Sequence, residues 1–429
     1  MYKDIDVLAG RCLGDFRLPD DMDIVVDHGR GARIWDTDGT EYIDYLLGSG
    51  PMVLGHAHPR VVNAVREQVG RGTTFYSVTV PVIELARRVV DSVPCADSVR
   101  FVADGSEATF YALRLARAHT GKDRVLKFEG GFHGHHDYGL QSFAPDVAGQ
   151  LVRPQPDTAG IPQGVTDSVL VARFNDLASV ECLLSRHSDE VAAILVEPIQ
   201  RAIEPQPGFL QGLRTLCDRY GCVLVFDEVV TGFRLARGGA QEWYGVIPDL
   251  CTLGKVMGGG LPIAAVAGRA EIMDLVTLTD GNDRYVYMNG TLNGNPLAAV
   301  AGLAALEVME EENGYERLSA IGTVLCDGLR TAARELEVPL TVIGPPAFPE
   351  LLFGEGTVDD YEDYRRFDHE TRARFAVELI HRGIYLRPGA KIYISLAHTD
   401  NELQRTLDAA SDVLRLMRGE GLFERWVGK

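Results

Sequence analysis

A single lysine interrupts the run LCTLGKVMGGGLPIAAVAG: Lys255 is the only charged residue between Leu250 and Gly268. Two readings are open. The stem of a lysine can pack on a core while its amine reaches water. Alternatively, apolar surroundings strip the amine of its proton and make it a nucleophile for a carbonyl carbon. The run is long enough for a membrane span, but three consecutive glycines, Pro262 and the flanking Asp249 and Arg269 argue against one. A second feature is CVLVFDEV, which brings Asp227 and Glu228 to the carboxyl end of an apolar strand. Side chains alternate along a strand, so Asp227 shares a face with Val229 and Glu228 points the other way. That arrangement suits one carboxylate working beside an apolar neighbour better than a chelating pair.

Asp104-Gly105-Ser106-Glu107 joins the strand VRFVA to a helix. A helix N-terminus with a glycine and a hydroxyl can hold an anion, and Ser106 can equally serve as a plain helix cap. The segment is neither a GxGxxG nor a P-loop, which weakens dinucleotide and nucleoside-triphosphate readings. GGFHGHHDY places His133, His135, His136 and Asp137 close together, but without an HExxH spacing or a separated third ligand group, so no metal is expected. Phe132 in the same loop offers an aromatic face to a planar ligand. Arg17, Arg234 and Arg387 are candidate anchors for a substrate carboxylate, each also able to sit in an ordinary ion pair.

These residues need a scaffold. Apolar strands alternate with amphipathic helices from Val99 to Gly268: VRFVA, RVLKF, SVLVA, VAAILVEPI, CVLVFDEV and PIAAVAG, with helices SEATFYALRLARAHTG and LQGLRTLCDRYG between them. That order predicts an α/β fold with a mostly parallel sheet covered on both faces. Upstream, ARIWDTDGTEYIDYL reads as a hairpin turning at Thr37-Asp38-Gly39, and a helix is expected from about Arg60. Beyond the helix NPLAAVAGLAALEVMEEE come short strands, VPLTVIG, PELLFG and KIYISLA, mixed with the helix ETRARFAVELIHRG. The expected division is an N-terminal segment over 1–60, a large domain over 61–309 and a smaller α+β domain over 310–429.

Composition narrows the partners. A net charge of −19 over 429 residues disfavours nucleic acid and anionic membrane surfaces, which leaves small molecules and other protein chains. Seven scattered cysteines without a CxxC pair, and an N-terminus MYKDIDVLAG with no apolar core, fit reduced thiols and a cytoplasmic location.

Taken in order, SEATFYALRLARAHTG, KFEGGFHGHHD, VLVFDEVVTGFR, PDLCTLGKVMGGGLP and GTLNGNPLA resemble class III pyridoxal-phosphate-dependent aminotransferases. Within that family the likeness is greatest to the glutamate-1-semialdehyde 2,1-aminomutases, from about residue 30 to the C-terminus. The resemblance implies a fold-type-I transferase with pyridoxal 5'-phosphate as cofactor. It implies that Lys255 binds the cofactor's aldehyde, that Asp227 sits against the pyridine nitrogen, and that Val229 and Phe132 flank the ring. Gly105 and Ser106 would hold the phosphate, His133 would join the cofactor contacts, and Thr291 would reach the phosphate of a partner subunit in a homodimer. Arg17 and Arg387 would bind the substrate carboxylate.

Three places depart from the aminomutase pattern. Gly48, Ser49 and Gly50 stand where it has Ser-Trp-Gly, and Ala202 stands where it has an asparagine. The loop RPGAKIYI is shorter and carries Arg387 and Lys391 in place of a glutamate. The expected reaction is therefore amino transfer between a carboxylated amine or amino acid, β-amino acids among the candidates, and a keto acid. The alternative is the intramolecular transfer of the aminomutases.

Overall fold

The computed structural model describes residues 7–14, 18, 19, 22, 24–145, 148, 149, 153–278 and 283–424. In chain order, strands β1 (Val26–Arg30), β2 (Arg33–Asp36) and β3 (Glu41–Asp44) precede helices α1 (Pro59–Val69) and α2 (Val80–Ser92). Next come β4 (Ser98–Val102), α3 (Gly105–Thr120), β5 (Arg124–Phe128), α4 (Gln163–Thr166), β6 (Val169–Ala172), α5 (Leu177–Arg186), β7 (Val191–Val196), α6 (Phe209–Tyr220) and β8 (Val223–Asp227). They are followed by α7 (Gly239–Tyr244), β9 (Leu250–Leu253), β10 (Ala264–Gly268), α8 (Ala270–Met273), α9 (Pro296–Glu311) and α10 (Gly314–Glu335). The chain closes with β11 (Leu340–Ile343), β12 (Glu350–Phe353), α11 (Tyr361–Arg365), α12 (His369–Ile380), β13 (Ile384–Tyr385) and α13 (Asp400–Gly419). Among the described residues no helix is long and apolar enough to cross a membrane.

The chain forms two compact units, one of residues 59–315 with 357–366, the other of residues 1–58, 316–356 and 367–429. In the first, seven strands lie in the order β4-β10-β9-β8-β7-β5-β6. β10 runs antiparallel to both its neighbours and every other pair is parallel. All strands except β10 therefore end at the same edge of the sheet, and sequence motifs that follow those strands collect there.

Alternation along the strands decides which side chains meet which layer. Val223 and Val225 on β8, Ala193 and Leu195 on β7 and Val125 on β5 pack with Ala108, Ala112, Leu115 and Ala116 of α3. The intervening residues face the other way, where Phe128, Phe174 and Phe209 meet edge to face with centroids 5.0–5.9 Å apart. Small alanines on α3 let the helix lie close to the sheet. By the same period of two, Asp227 belongs to the α3 side and Glu228 to the opposite one.

The second unit holds a four-stranded sheet, β1-β2-β3-β13, and the ribbon β11-β12. β2 and β3 form the hairpin expected at Thr37–Gly39, with Arg33 opposite Ile43. KIYISLA is not the strand its apolar pattern suggests. Its N–H groups go alternately to different segments: Ile392 to Pro349 O and Ile394 to Ala347 O, but Tyr393 to Tyr45 O and Leu396 to Val53 O. The segment is buried and stitched on two sides, yet it forms no ladder with either. β9 and the long helices α10 and α13 are further elements that the sequence reading left unassigned.

Candidate active site

Asp227 ends β8 with its side chain 7% exposed as a residue and its carboxylate doubly anchored. Oδ2 lies 2.8 Å from Nδ1 of His133, and Oδ1 accepts from the Thr252 hydroxyl at 3.0 Å. Thr252 is brought there by register, because Asp227 pairs with it across β8 and β9. His133 is itself 1% exposed, so the pair is largely shielded from water and only Asp227 keeps a small exposed edge. Glu228 goes the other way: it is fully buried and accepts from Ala240 N–H at 2.5 Å and the Thr231 hydroxyl at 3.0 Å. Burial raises its carboxyl above the usual range against these hydrogen bonds.

Lys255 follows Thr252 on the same connection. Gly254 leaves β9 extended, and Lys255 opens a short 3-10 turn with φ of 46°, in the left-handed region that a non-glycine residue enters at a cost of roughly 1–2 kcal/mol. The turn ends at Gly259, and β10 returns at Ala264, so the lysine sits in a loop tied at both ends to neighbouring strands. Its side chain is half-buried.

Val229 forms a floor between two glycines. A Cβ on Gly105 would come within 3.0 Å of the Val229 methyl, and one on Gly254 within 3.4 Å. Gly105 opens α3, whose cap Asp104 accepts from Glu107 N–H at 2.9 Å while Glu107 in turn accepts from Ala103 N–H at 2.9 Å. The N–H groups of Gly105 and Ser106, ahead of the capped position, are those a helix start offers to an anion. The Ser106 hydroxyl lies 2.8 Å from His135 Nδ1 and accepts from His135 N–H at 3.1 Å. Gly134 passes so near that a Cβ there would sit 2.5 Å from the Ser106 hydroxyl.

The three histidines of the loop thus turn to three different partners. His133 takes Asp227, His135 takes Ser106, and His136 takes Thr109. Gly139 N–H donates to His136 Nδ1, so the ring proton is on Nε2, facing Thr109. Burial pulls His136 down to about 3, which keeps it neutral. Phe132 is 47% exposed; its N–H donates to Glu197 and its ring leans on Phe143 with centroids 5.0 Å apart.

The structure therefore gathers Gly105, Ser106, His133, Asp227 and Val229 through direct contacts, with Lys255 beside Gly254 and Phe132 beside His133. Thr291 lies exposed on the loop before α9. Arg387 is half-buried in the other unit, just beyond β13. Arg17 lies outside the described residues. Arg234 is 1% exposed, a core residue rather than a surface anchor. Sequence reasoning missed Thr252, Glu197 and Lys127; the last is a lysine 1% exposed whose ammonium donates to Gly131, Gly139 and Gln141 carbonyls at 3.0, 2.7 and 2.7 Å. Thr252 was accessible to register reasoning from Asp227, whereas the others answer to no spacing rule.

The residues present fit pyridoxal 5'-phosphate. A carboxylate held in a largely shielded setting suits a protonated ring nitrogen, the Gly105–Val229–Gly254 floor leaves room for a flat ring, and a helix start with a hydroxyl suits a phosphate.

Known proteins give the same answer. The aminotransferase class-III family model matches residues 17–414. Glutamate-1-semialdehyde 2,1-aminomutase of Roseiflexus castenholzii is 44% identical over 91% of this chain and 89% of its own length. An omega-transaminase from Sphaerobacter thermophilus superposes with a TM-score of 0.91 at 35% identity, covering 96% of this chain and 95% of that one. A glutamate-1-semialdehyde aminomutase from Pseudomonas aeruginosa PAO1 in complex with PMP gives 0.82 at 27% identity, over 91% and 87%. The named relative matches the aminomutase alternative of the sequence reading better than a general transaminase. The chain belongs to the class-III aminotransferase family and is a pyridoxal-phosphate-dependent enzyme.

Proposed function

We propose that the carboxyl edge of the seven-stranded sheet carries out amino transfer with Lys255 and Asp227 as its catalytic residues. The observation that supports it is the buried Asp227 carboxylate, held by His133 and by Thr252 of the adjacent strand, with Lys255 in the turn that follows that strand. When bound, pyridoxal 5'-phosphate supplies a ring that takes up the electron pair left when a proton departs from the carbon bearing the substrate's amine. Asp227 holds the proton of the ring nitrogen, and His133 and Thr252 fix the direction of its carboxylate. Lys255 would hold the cofactor through its aldehyde group and, once displaced by the substrate amine, would carry the proton at the substrate carbon as a general base. Val229 and Phe132 would flank the ring, and Gly105 and Ser106 would bind the phosphate. Thr291 serves the phosphate site of a second copy in a homodimer. Arg17 and Arg387 grip the substrate carboxylate. With so acidic a chain, the partners are small amines and keto acids rather than nucleic acid, and the cytoplasm is the proposed location.

For the direction of transfer, the intramolecular aminomutase reaction is the first reading, supported by 44% identity to a protein of that name over 91% of the chain. Transfer between a carboxylated amine and a keto acid is the second. Gly48 to Gly50, Ala202 and the loop with Arg387 and Lys391 favour it, as does the TM-score of 0.91 with an omega-transaminase. One assay separates them: glutamate-1-semialdehyde without any acceptor, against a panel of amino donors with pyruvate or 2-oxoglutarate. Formation of 5-aminolevulinate faster than any transamination supports the first reading, and the reverse ratio establishes the second. The Lys255→Ala protein should be silent in both arms; turnover equal to wild type would remove Lys255 from the chemistry.

A further inference from the structure

We propose that Lys127 and Arg201 are positioning residues that hold the Glu129–His133 segment from behind and so set the face that Phe132 presents to the cofactor. The inference rests on the reading that the cofactor lies at this edge of the sheet.

Loops usually leave their carbonyls to water or to neighbouring backbone. Here successive carbonyls are taken by side chains. Glu129 O accepts from Gln200 at 2.7 Å, Gly130 O from Arg201 Nε at 3.1 Å, Gly131 O from Lys127 at 3.0 Å and His133 O from Thr109 at 2.6 Å. Between them the Phe132 N–H donates to Glu197 at 2.9 Å. Three neighbours on the fold supply these groups: the end of β5, the segment after β7, and α3. The loop path is thereby dictated from outside, carbonyl by carbonyl.

Lys127 does more than fill space. An ammonium removed from water costs several kcal/mol unless its donors are met, and an apolar side chain would fill the same volume without that cost. Its three N–H groups meet three carbonyls, from Gly131, Gly139 and Gln141, which lie on both limbs of the loop around the histidines. Burial draws the amine down to about 8, with Asp157 and Glu197 opposing the shift, so the charged donor persists at neutral pH. Arg201 reaches the ring of Phe132 through one intermediary. Its Nη2 donates to Phe143 O at 2.9 Å and its guanidinium lies 4.8 Å from the Phe143 ring, which itself packs on Phe132. The other sides of the guanidinium face Tyr361 at 4.8 Å and Tyr364 at 5.2 Å. Gly130, with φ of 81°, is pressed against Tyr361 so closely that a Cβ would stand 2.5 Å from its ring.

The test uses the purified full chain with Lys127→Met, which keeps length and loses all donors, and Arg201→Gln, at a half-buried position where no stranded buried charge results. Amide hydrogen exchange over residues 129–133 should quicken by about tenfold or more in each. The visible circular dichroism per bound cofactor should fall, and kcat should drop more than KM changes. Arg201→Lys, which restores a cation beside the aromatic rings, should recover part of the dichroism. If Lys127→Met does not fold, Arg201→Gln alone decides. A lower unfolding midpoint with wild-type exchange and wild-type dichroism per cofactor would overturn the proposal, since that is what filler residues give. A wild-type protein that binds no cofactor would refute the proposed function, while the exchange rates would still judge the clamp.

Discussion

Asp227 draws its anchors from two directions, a histidine on the loop after β5 and a threonine on the adjacent strand. Each anchor orients one oxygen, so the direction of the carboxylate is fixed, as the ring-nitrogen role proposed for it requires. Asp227→Ala should retain bound cofactor and lose about two to four decades of kcat, the rate equivalent of about 3–5 kcal/mol for removing one partner of a buried charge pair. Thr252→Val deletes a single hydrogen bond to a carboxylate, about 1.5–3 kcal/mol, and should cost about ten- to a hundredfold. Steady-state kinetics on both variants checks the order, and near-normal turnover of Asp227→Ala would place the ring-nitrogen role elsewhere. Asp227 and Lys255 stood out in the sequence because a charge in an apolar run is conspicuous. Lys127 lies in RVLKF, a short strand that also holds Arg124, and it escaped notice because its partners are backbone carbonyls and carbonyls carry no residue identity.

The loop 130–139 and the start of α3 meet where Gly134 touches Ser106. A methyl group there would stand 2.5 Å from the serine hydroxyl, and the φ of 92° already disfavours any side chain. Gly134→Ala should therefore displace Ser106 and weaken cofactor affinity by at least about tenfold, or roughly 1.4 kcal/mol. A titration followed by visible absorbance measures this, and an unchanged dissociation constant would separate Ser106 from the phosphate. Elements of this kind were only half legible in the sequence. Strands such as SVLVA and CVLVFDEV announce themselves by continuous apolar residues, and the hairpin by Thr37-Asp38-Gly39. KIYISLA shows the limit of pattern: its apolar alternation reflects burial on two sides, while strand identity depends on one continuous partner, which distant residues did not supply.

Two buried imidazoles, one in each unit, link the molecule's stability to pH. His136 is held near 3 and His398 near 4, both chiefly by burial, against about 6.5 in an unfolded chain. Unfolding therefore takes up protons between these values. The stabilisation is fully present above about pH 6.5 and is lost as pH falls toward 4 and then 3. At pH 5 the two histidines should account for nearly two of the protons taken up on unfolding, against about half a proton at pH 7, seen as a falling denaturant midpoint. A midpoint that stays level across this range would show that the rings are not held neutral.

The discontinuous make-up of the unit that holds the seven-stranded sheet bears on how the chain matures during synthesis. Residues 59–315 leave the ribosome as one stretch, but the unit also needs residues 357–366, which emerge only after a segment belonging to the other unit. Two of the three rings around the Arg201 guanidinium, Tyr361 and Tyr364, come from that late piece, as does the wall against Gly130. A nascent chain stalled before Tyr361 thus carries every residue of the Lys255–Asp227 constellation yet lacks the seat that steadies the Phe132 loop. The wall against Gly130 and the aromatic seat of Arg201 are thus completed late in translation, by ten residues far downstream of Asp227 and Lys255.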